Sequence, residues 1–173
     1  MYFPPHCQVP TQSESPAMPQ TIFASYAKLL VLLHAAAAIV LVGSTTHNAL
    51  ITLGYLRGRY QVRLGRIYAE TVAVAYSVTC LLGSAAYPTY RYYVRGLYLD
   101  RYEIWASNLF DIKENFASLG LPLVLATWVL SRIMDPKTDR PLLMGYATAV
   151  FLATAVVWFN VITGFLITMA KGV

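Results

Sequence analysis

The chain has 173 residues, of which 57% are hydrophobic and only 12% charged, about half the charged share of a soluble domain. Its net charge of +5 would suit nucleic acid, but no basic run interleaves with aromatic residues as a phosphate-binding face requires. The arginines stand instead at the ends of long apolar blocks, which fits a lipid bilayer as partner and excludes nucleic acid. The two cysteines, Cys7 and Cys80, form no CxxC, CxxCH or zinc-type pattern, so thioredoxin chemistry, c-type haem attachment, structural zinc and a disulfide framework are all unsupported.

Residues 1–24 carry neither a positive n-region nor an apolar h-region, so they are no signal peptide. They are read as a disordered tail, with a start at Met18 as the alternative, which would leave residues 1–17 unmade. Residues 25–173 form the membrane domain.

Four apolar blocks follow, each of about 18 residues or more, the length that spans a bilayer as a helix. The first covers residues 26–56 and opens with Leu29-Leu30-Val31-Leu32-Leu33. At 1.5 Å per residue, its apolar part from Leu29 onward is roughly 42 Å long. His34 interrupts the apolar run, and Ser44-Thr45-Thr46-His47-Asn48 places five polar residues in succession. Such a run covers more than one helix face, so some of it points at other helices. The second block, residues 67–86, is expected to end at Tyr87-Pro88. It carries Ala69, Ala73 and Ser77 at every fourth position, a small-residue stripe for close packing. It also carries Glu70, near the end that His47 approaches. A contact between His47 and Glu70 is expected, although their depths differ by roughly 9 Å on straight helices.

Residues 87–105 contain six tyrosines and one tryptophan among arginines and acids. Amphipathic rings prefer the membrane–water boundary, so this stretch is expected to fold along the surface as an interfacial aromatic-rich segment. Arg91 and Arg95 are four residues apart, Asp111 and Glu114 three apart. This spacing allows an arginine–carboxylate network at the surface. The third block, residues 116–133, has Gly120 and Pro122 near its start, which predicts a kink or a late helix start. The fourth, residues 142–169, is preceded by Asp139 as an expected N-cap and by Pro141 in the first turn. Asn160 stands mid-span and is expected to bond across a helix interface. The expected fold is an all-α integral membrane four-helix bundle.

Arg57, Arg59, Arg63 and Arg66 crowd the first connection without an acid. By the positive-inside rule that connection is cytoplasmic and both termini lie outside, in a bacterial-type inner membrane.

Ionisable residues inside spans are functional leads, which makes His34, His47, Glu70 and Asn160 the candidate polar site. A histidine there can ligate haem or a metal, relay a proton, or bond a neighbouring helix. His34 and His47 are thirteen residues apart, so they differ by about 140° in direction and about 20 Å in height and cannot share one iron. The run Leu33-His34-Ala35-Ala36-Ala37, together with the four-span layout, resembles small bacterial four-helix membrane proteins of the copper-resistance-D and cytochrome b561 kind. The resemblance covers the first span and the topology. It implies a b-type haem or a quinone handled at His34. A bis-histidine haem within one chain would need a histidine on another span, and the only remaining one is His6 in the tail. No cofactor is assigned, and no GxSxG, HExxH, P-loop or dinucleotide fingerprint indicates an enzyme. The leading expectation is an accessory protein or subunit that packs against other membrane subunits or its own copies. The alternatives are a redox protein using His34 and a proton-linked transporter using His47 and Glu70.

Overall fold

The computed structural model describes residues 23–170. The tail and the alternative start at Met18 fall outside them, except for Phe23 and Ala24. A 3-10 turn, Ala24–Tyr26, leads into α1 (Ala27–Leu56). Then comes α2 (Val62–Tyr90), prolonged without interruption by a π-helical stretch (Arg91–Leu99) and the single turn α3 (Asp100–Tyr102). α4 (Ile104–Ile133) and α5 (Arg140–Ala170) complete the chain. All four long helices are long and apolar enough to cross a membrane. At 1.5 Å per residue, a 30-residue helix such as α1 is about 45 Å long, enough for the hydrocarbon core and both headgroup layers.

The helices form a ring in the order α1, α2, α4, α5, each packed against its two neighbours. Large apolar side chains such as Leu32, Ile39, Leu152 and Phe165 face outward, whereas Ala69, Ala73, Ala106, Ala147 and Ala153 are buried. This inverts the soluble pattern, as lipid requires: tails solvate leucine, and small residues let backbones approach.

Short connections fix the antiparallel neighbours. α1 ends in a Schellman motif. Gly58 has φ +79°, the Arg59 N–H donates to the Gly54 carbonyl at 2.8 Å and the Gly58 N–H to Tyr55 at 3.0 Å, closing orphan carbonyls of the last turn. A side chain disfavours that φ, so Gly58→Ala is expected to lower stability by about 1 kcal/mol in thermal unfolding. Before α5, the Asp139 carbonyl accepts the Leu143 N–H at 2.9 Å, so Asp139 occupies the N-cap position. Its carboxylate does not cap the helix but accepts the Asp135 N–H at 3.1 Å.

Two sequence expectations are corrected. Span two does not end at Tyr87-Pro88: Pro88 lies inside α2, and helix continues to Tyr102. Proline withholds one N–H and crowds the preceding turn. In a membrane helix such breaks are absorbed by local π geometry, and here nine residues of it begin three positions later. Residues 87–105 are helical almost throughout, continuing α2 to Tyr102 and opening α4. They are held by a core of Val94, Leu99, Ala106, Phe110 and Ile167, flanked by Tyr87, Tyr90 and Tyr98. Span three likewise begins at Ile104, and Pro122 lies within it. The chain turns at Glu103, whose φ of −136° and ψ of 61° leave the helical region.

Candidate functional site

The polar residues inside the spans separate into an inner layer and an outer set. The inner layer begins with His34, seven residues into α1 and so roughly 10 Å below its start. Its Nδ1 lies 3.0 Å from the Thr79 carbonyl of α2. A carbonyl only accepts, so Nδ1 carries the proton and, in the neutral ring, Nε2 keeps a lone pair. The ring rests on bare backbone, since a Cβ on Gly83 would stand only 3.1 Å from its Cε1.

Across the ring of helices, Lys113 of α4 passes over Gly164 of α5, where a Cβ would meet its Cε at 3.5 Å and its Nζ at 3.9 Å. The ammonium lies 5.8 Å from the Phe110 ring centroid. It makes no ion pair among the described residues. Asn160 stands one turn from Gly164 on the same helix face. Its Nδ2 donates to the Val156 carbonyl at 2.8 Å, while its Oδ1 is buried with no partner. The bundle interior thus holds an imidazole nitrogen, an ammonium and a carboxamide oxygen, from three helices, with no hydrogen bond between any two of them among the described residues. Inside a bilayer such groups are expensive and mark function more often than stability. Lys113→Met, which keeps length but removes the charge, is expected to raise stability by about 1 kcal/mol, seen as a higher unfolding midpoint in detergent.

In sequence Lys113 lies between the acids Asp111 and Glu114. Helix spacing separates them: at about 100° per residue, Lys113 points roughly 160° away from Asp111 and 100° from Glu114. Asp111 and Glu114 look toward α2 and its continuation. Asp111 takes Arg95 through both terminal nitrogens, at 2.6 and 2.8 Å, the bidentate geometry that guanidinium favours. Arg95 Nε also lies 3.7 Å from Asp100, which in turn accepts the Ser107 hydroxyl. Arg91 makes no ion pair with an acid among the described residues. It donates to the Tyr87 hydroxyl at 3.3 Å, and that hydroxyl donates to Glu114 at 3.3 Å. Tyr87 is therefore a member that the sequence reading did not name, although it stands four residues before Arg91 on the same face.

The outer set contains the expected His47–Glu70 pair, and the structure does not bring the two together. His47 Nδ1 bonds the Gly43 carbonyl of its own helix at 2.7 Å, and its ring stacks on Tyr68 with centroids 5.4 Å apart and planes 6° off parallel. Glu70 takes Arg132 of α4 at 2.6 Å. Tyr68 already fills the position opposite His47. Glu70, two residues on, points about 200° away and leaves the α1–α2 face.

The remaining hydroxyls of the polar run largely satisfy themselves. Ser44, Thr45 and Thr46 donate to carbonyls one turn back. Asn48 reaches across instead, accepting the Tyr146 hydroxyl of α5 at 3.0 Å, and Thr46 accepts the Trp158 indole N–H at 3.2 Å.

Nearer the first connection, Arg66 Nε donates to the Ser131 carbonyl at 3.2 Å, closing an orphan carbonyl of the last turn of α4. No group of three His, Cys, Asp or Glu side chains among the described residues could hold a metal ion. His34, with Nδ1–H held by a carbonyl and a lone pair on Nε2, could offer that one nitrogen to a metal-containing group. His47 stacks on the outside of the bundle and cannot complete a bis-histidine pair with it.

Comparison with known protein families, characterised proteins and solved structures finds no match. The class rests on the structure itself: four apolar helices of spanning length, packed as a bundle, make this a multi-pass integral membrane protein.

Proposed function

We propose that this protein is a subunit or accessory component of a membrane assembly and docks through the α1–α2 face that carries His47 and Tyr68. The observation that carries this reading is the exposure of His47, nine residues before the end of α1 and so about 13 Å below it. Ionisable side chains at that depth face protein or water, almost never acyl chains. An imidazole turned outward is therefore the inside of something larger. The exposed Glu70–Arg132 pair adds a second polar spot at the same end. A photo-crosslinking residue at position 47, activated in native membranes, is expected to yield a discrete protein adduct, either a second copy or a partner. Adducts with lipid alone would overturn the reading.

The acid-free arginine cluster supports a cytoplasmic first connection in an inner membrane, with both termini outside. A cysteine introduced at Gln61 is expected to react with an impermeant maleimide in spheroplasts only after permeabilisation.

A second reading is favoured by the free Nε2 of His34 and the resemblance of its sequence surroundings to b561-type proteins: a redox protein that holds a b-type haem or a quinone at that nitrogen. A Soret band in the visible spectrum of the purified protein tests the haem arm. The transporter reading through His47 and Glu70 loses its support, because the two residues serve different partners.

A further inference from the structure

The first connection holds more positive charge than the structure uses. Arg66 is engaged by the Ser131 carbonyl and Arg132 by Glu70, but Arg57, Arg59 and Arg63 are exposed and have no carboxylate partner among the described residues. All three lie between the last turn of α1 and the first turn of α2, the level at which the chain leaves the bilayer.

Beside them is a groove of about 480 Å³ lined by Tyr60, Gln61, Val62, Arg63, Leu64 and Ile67. Its lining is ordered along the helix axis. Arg63 stands one turn above Ile67, and Tyr60, in the connection before α2, has its ring centroid 6.3 Å from that of Tyr55. The lip is thus a phenol, a carboxamide and a guanidinium, and the wall below it is apolar. Leu64 and Ile67 are exposed on that wall.

We propose that this groove is a binding site for an anionic phospholipid of the surrounding leaflet. Arg63, supported by Arg59, holds the phosphate. Tyr60 sits at the ester level, and Leu64 and Ile67 carry the upper acyl chain. The order of chemistry from lip to wall is that of a phospholipid from headgroup to chain. The excess of unpaired guanidinium favours a headgroup with net negative charge over a zwitterionic one, whose own cation would repel it. The proposal stands apart from the docking face at His47.

The test uses the full chain purified in a neutral detergent. Retained lipid is counted by native mass spectrometry, and the unfolding midpoint is followed, after adding dioleoylphosphatidylglycerol, dioleoylphosphatidylcholine or glycerol 3-phosphate. One tightly retained phosphatidylglycerol and a raised midpoint are expected, with little effect of the other two. The Arg59→Gln/Arg63→Gln variant is expected to weaken that retention roughly tenfold or more, while Arg140→Gln, at the same end but outside the groove, leaves it unchanged. Equal retention of the two phospholipids by the unaltered protein overturns the proposal, whatever the yield of the variants. So does an equal loss in Arg140→Gln. A comparable shift with glycerol 3-phosphate would make the site one for a soluble anion and would also overturn it.

Discussion

Gly120→Ala is expected to force α2 and α4 apart and to lower stability by about 2–3 kcal/mol. The added Cβ would fall on the hydroxyl of Tyr76, 2.6 Å from its Cζ and 3.0 Å from its Cε2. Tyr76 cannot step aside, because it is buried and its hydroxyl donates to the Ala117 carbonyl of α4 at 2.6 Å. A matching lock joins α1 to α2: a Cβ on Gly65 would fall on the hydroxyl of Tyr55, 3.0 Å from its Cζ, and that hydroxyl donates to the Gln61 carbonyl at 3.1 Å. The two locks respond differently to rescue. Tyr55→Phe is expected to restore most of the loss in Gly65→Ala, since removing the oxygen leaves only one tight contact. Tyr76→Phe is expected to restore only part of the loss in Gly120→Ala, because two ring carbons remain too close. Thermal unfolding of the four variants in detergent measures both. A Gly120→Ala protein as stable as the unaltered one would mean that the helices do not approach this closely.

The second large effect belongs to the α1–α5 seam. Tyr146 and Asn48 are 0% and 2% exposed, and their bond at 3.0 Å is the sole hydrogen bond of the Asn48 carboxamide oxygen among the described residues. Tyr146→Phe keeps the ring but orphans that oxygen, at an expected cost of about 1–2 kcal/mol. Tyr146→Ala also opens a cavity beside Tyr55, Leu143 and Val150 and is expected to cost about 3–4 kcal/mol. Asn48→Leu in the Tyr146→Phe background removes both polar partners together, so the pair is expected to recover most of the loss. Failure to recover would locate the cost in packing rather than in the orphaned oxygen.

The four spans were legible because hydrophobicity over some 18 residues is a direct consequence of bilayer thickness. The ends of the spans were not. Residues 87–105 read as an interfacial segment outside the spans because tyrosines, arginines and acids dominate their composition. Their helical state is set by contacts distant in sequence, such as Phe110 and Ile167 closing over Val94 and Leu99. Pro88 and Pro122 read as breaks because the rule against helical proline is learned where water competes for the freed carbonyl. In the bundle, α4 continues through Pro122, and a π stretch follows Pro88.

Of the candidate site, His34 and Asn160 were visible as lone polar letters in apolar runs. The Thr79 carbonyl that holds His34 was not, since it is backbone, and neither was Lys113, which stands among the charges before the third apolar block. The partner of Glu70 was hidden for a related reason. Arg132 lies 62 residues away, and a depth argument cannot tell which neighbouring helix a side chain turns toward.

The locks on α1 and α2 also bear on how the chain is assembled as it leaves the insertion machinery. His34 to Thr79 and Tyr55 to Gln61 against Gly65 are both closed within the first two long helices. That hairpin needs nothing made later to shelter these groups from lipid, so it is competent to pair as soon as α2 has entered the bilayer. Asn48 and Thr46 are different, because Tyr146 and Trp158 reach them from α5. The carboxamide and the hydroxyl wait, open on the flank of the young hairpin, until the last helix arrives and shuts the ring.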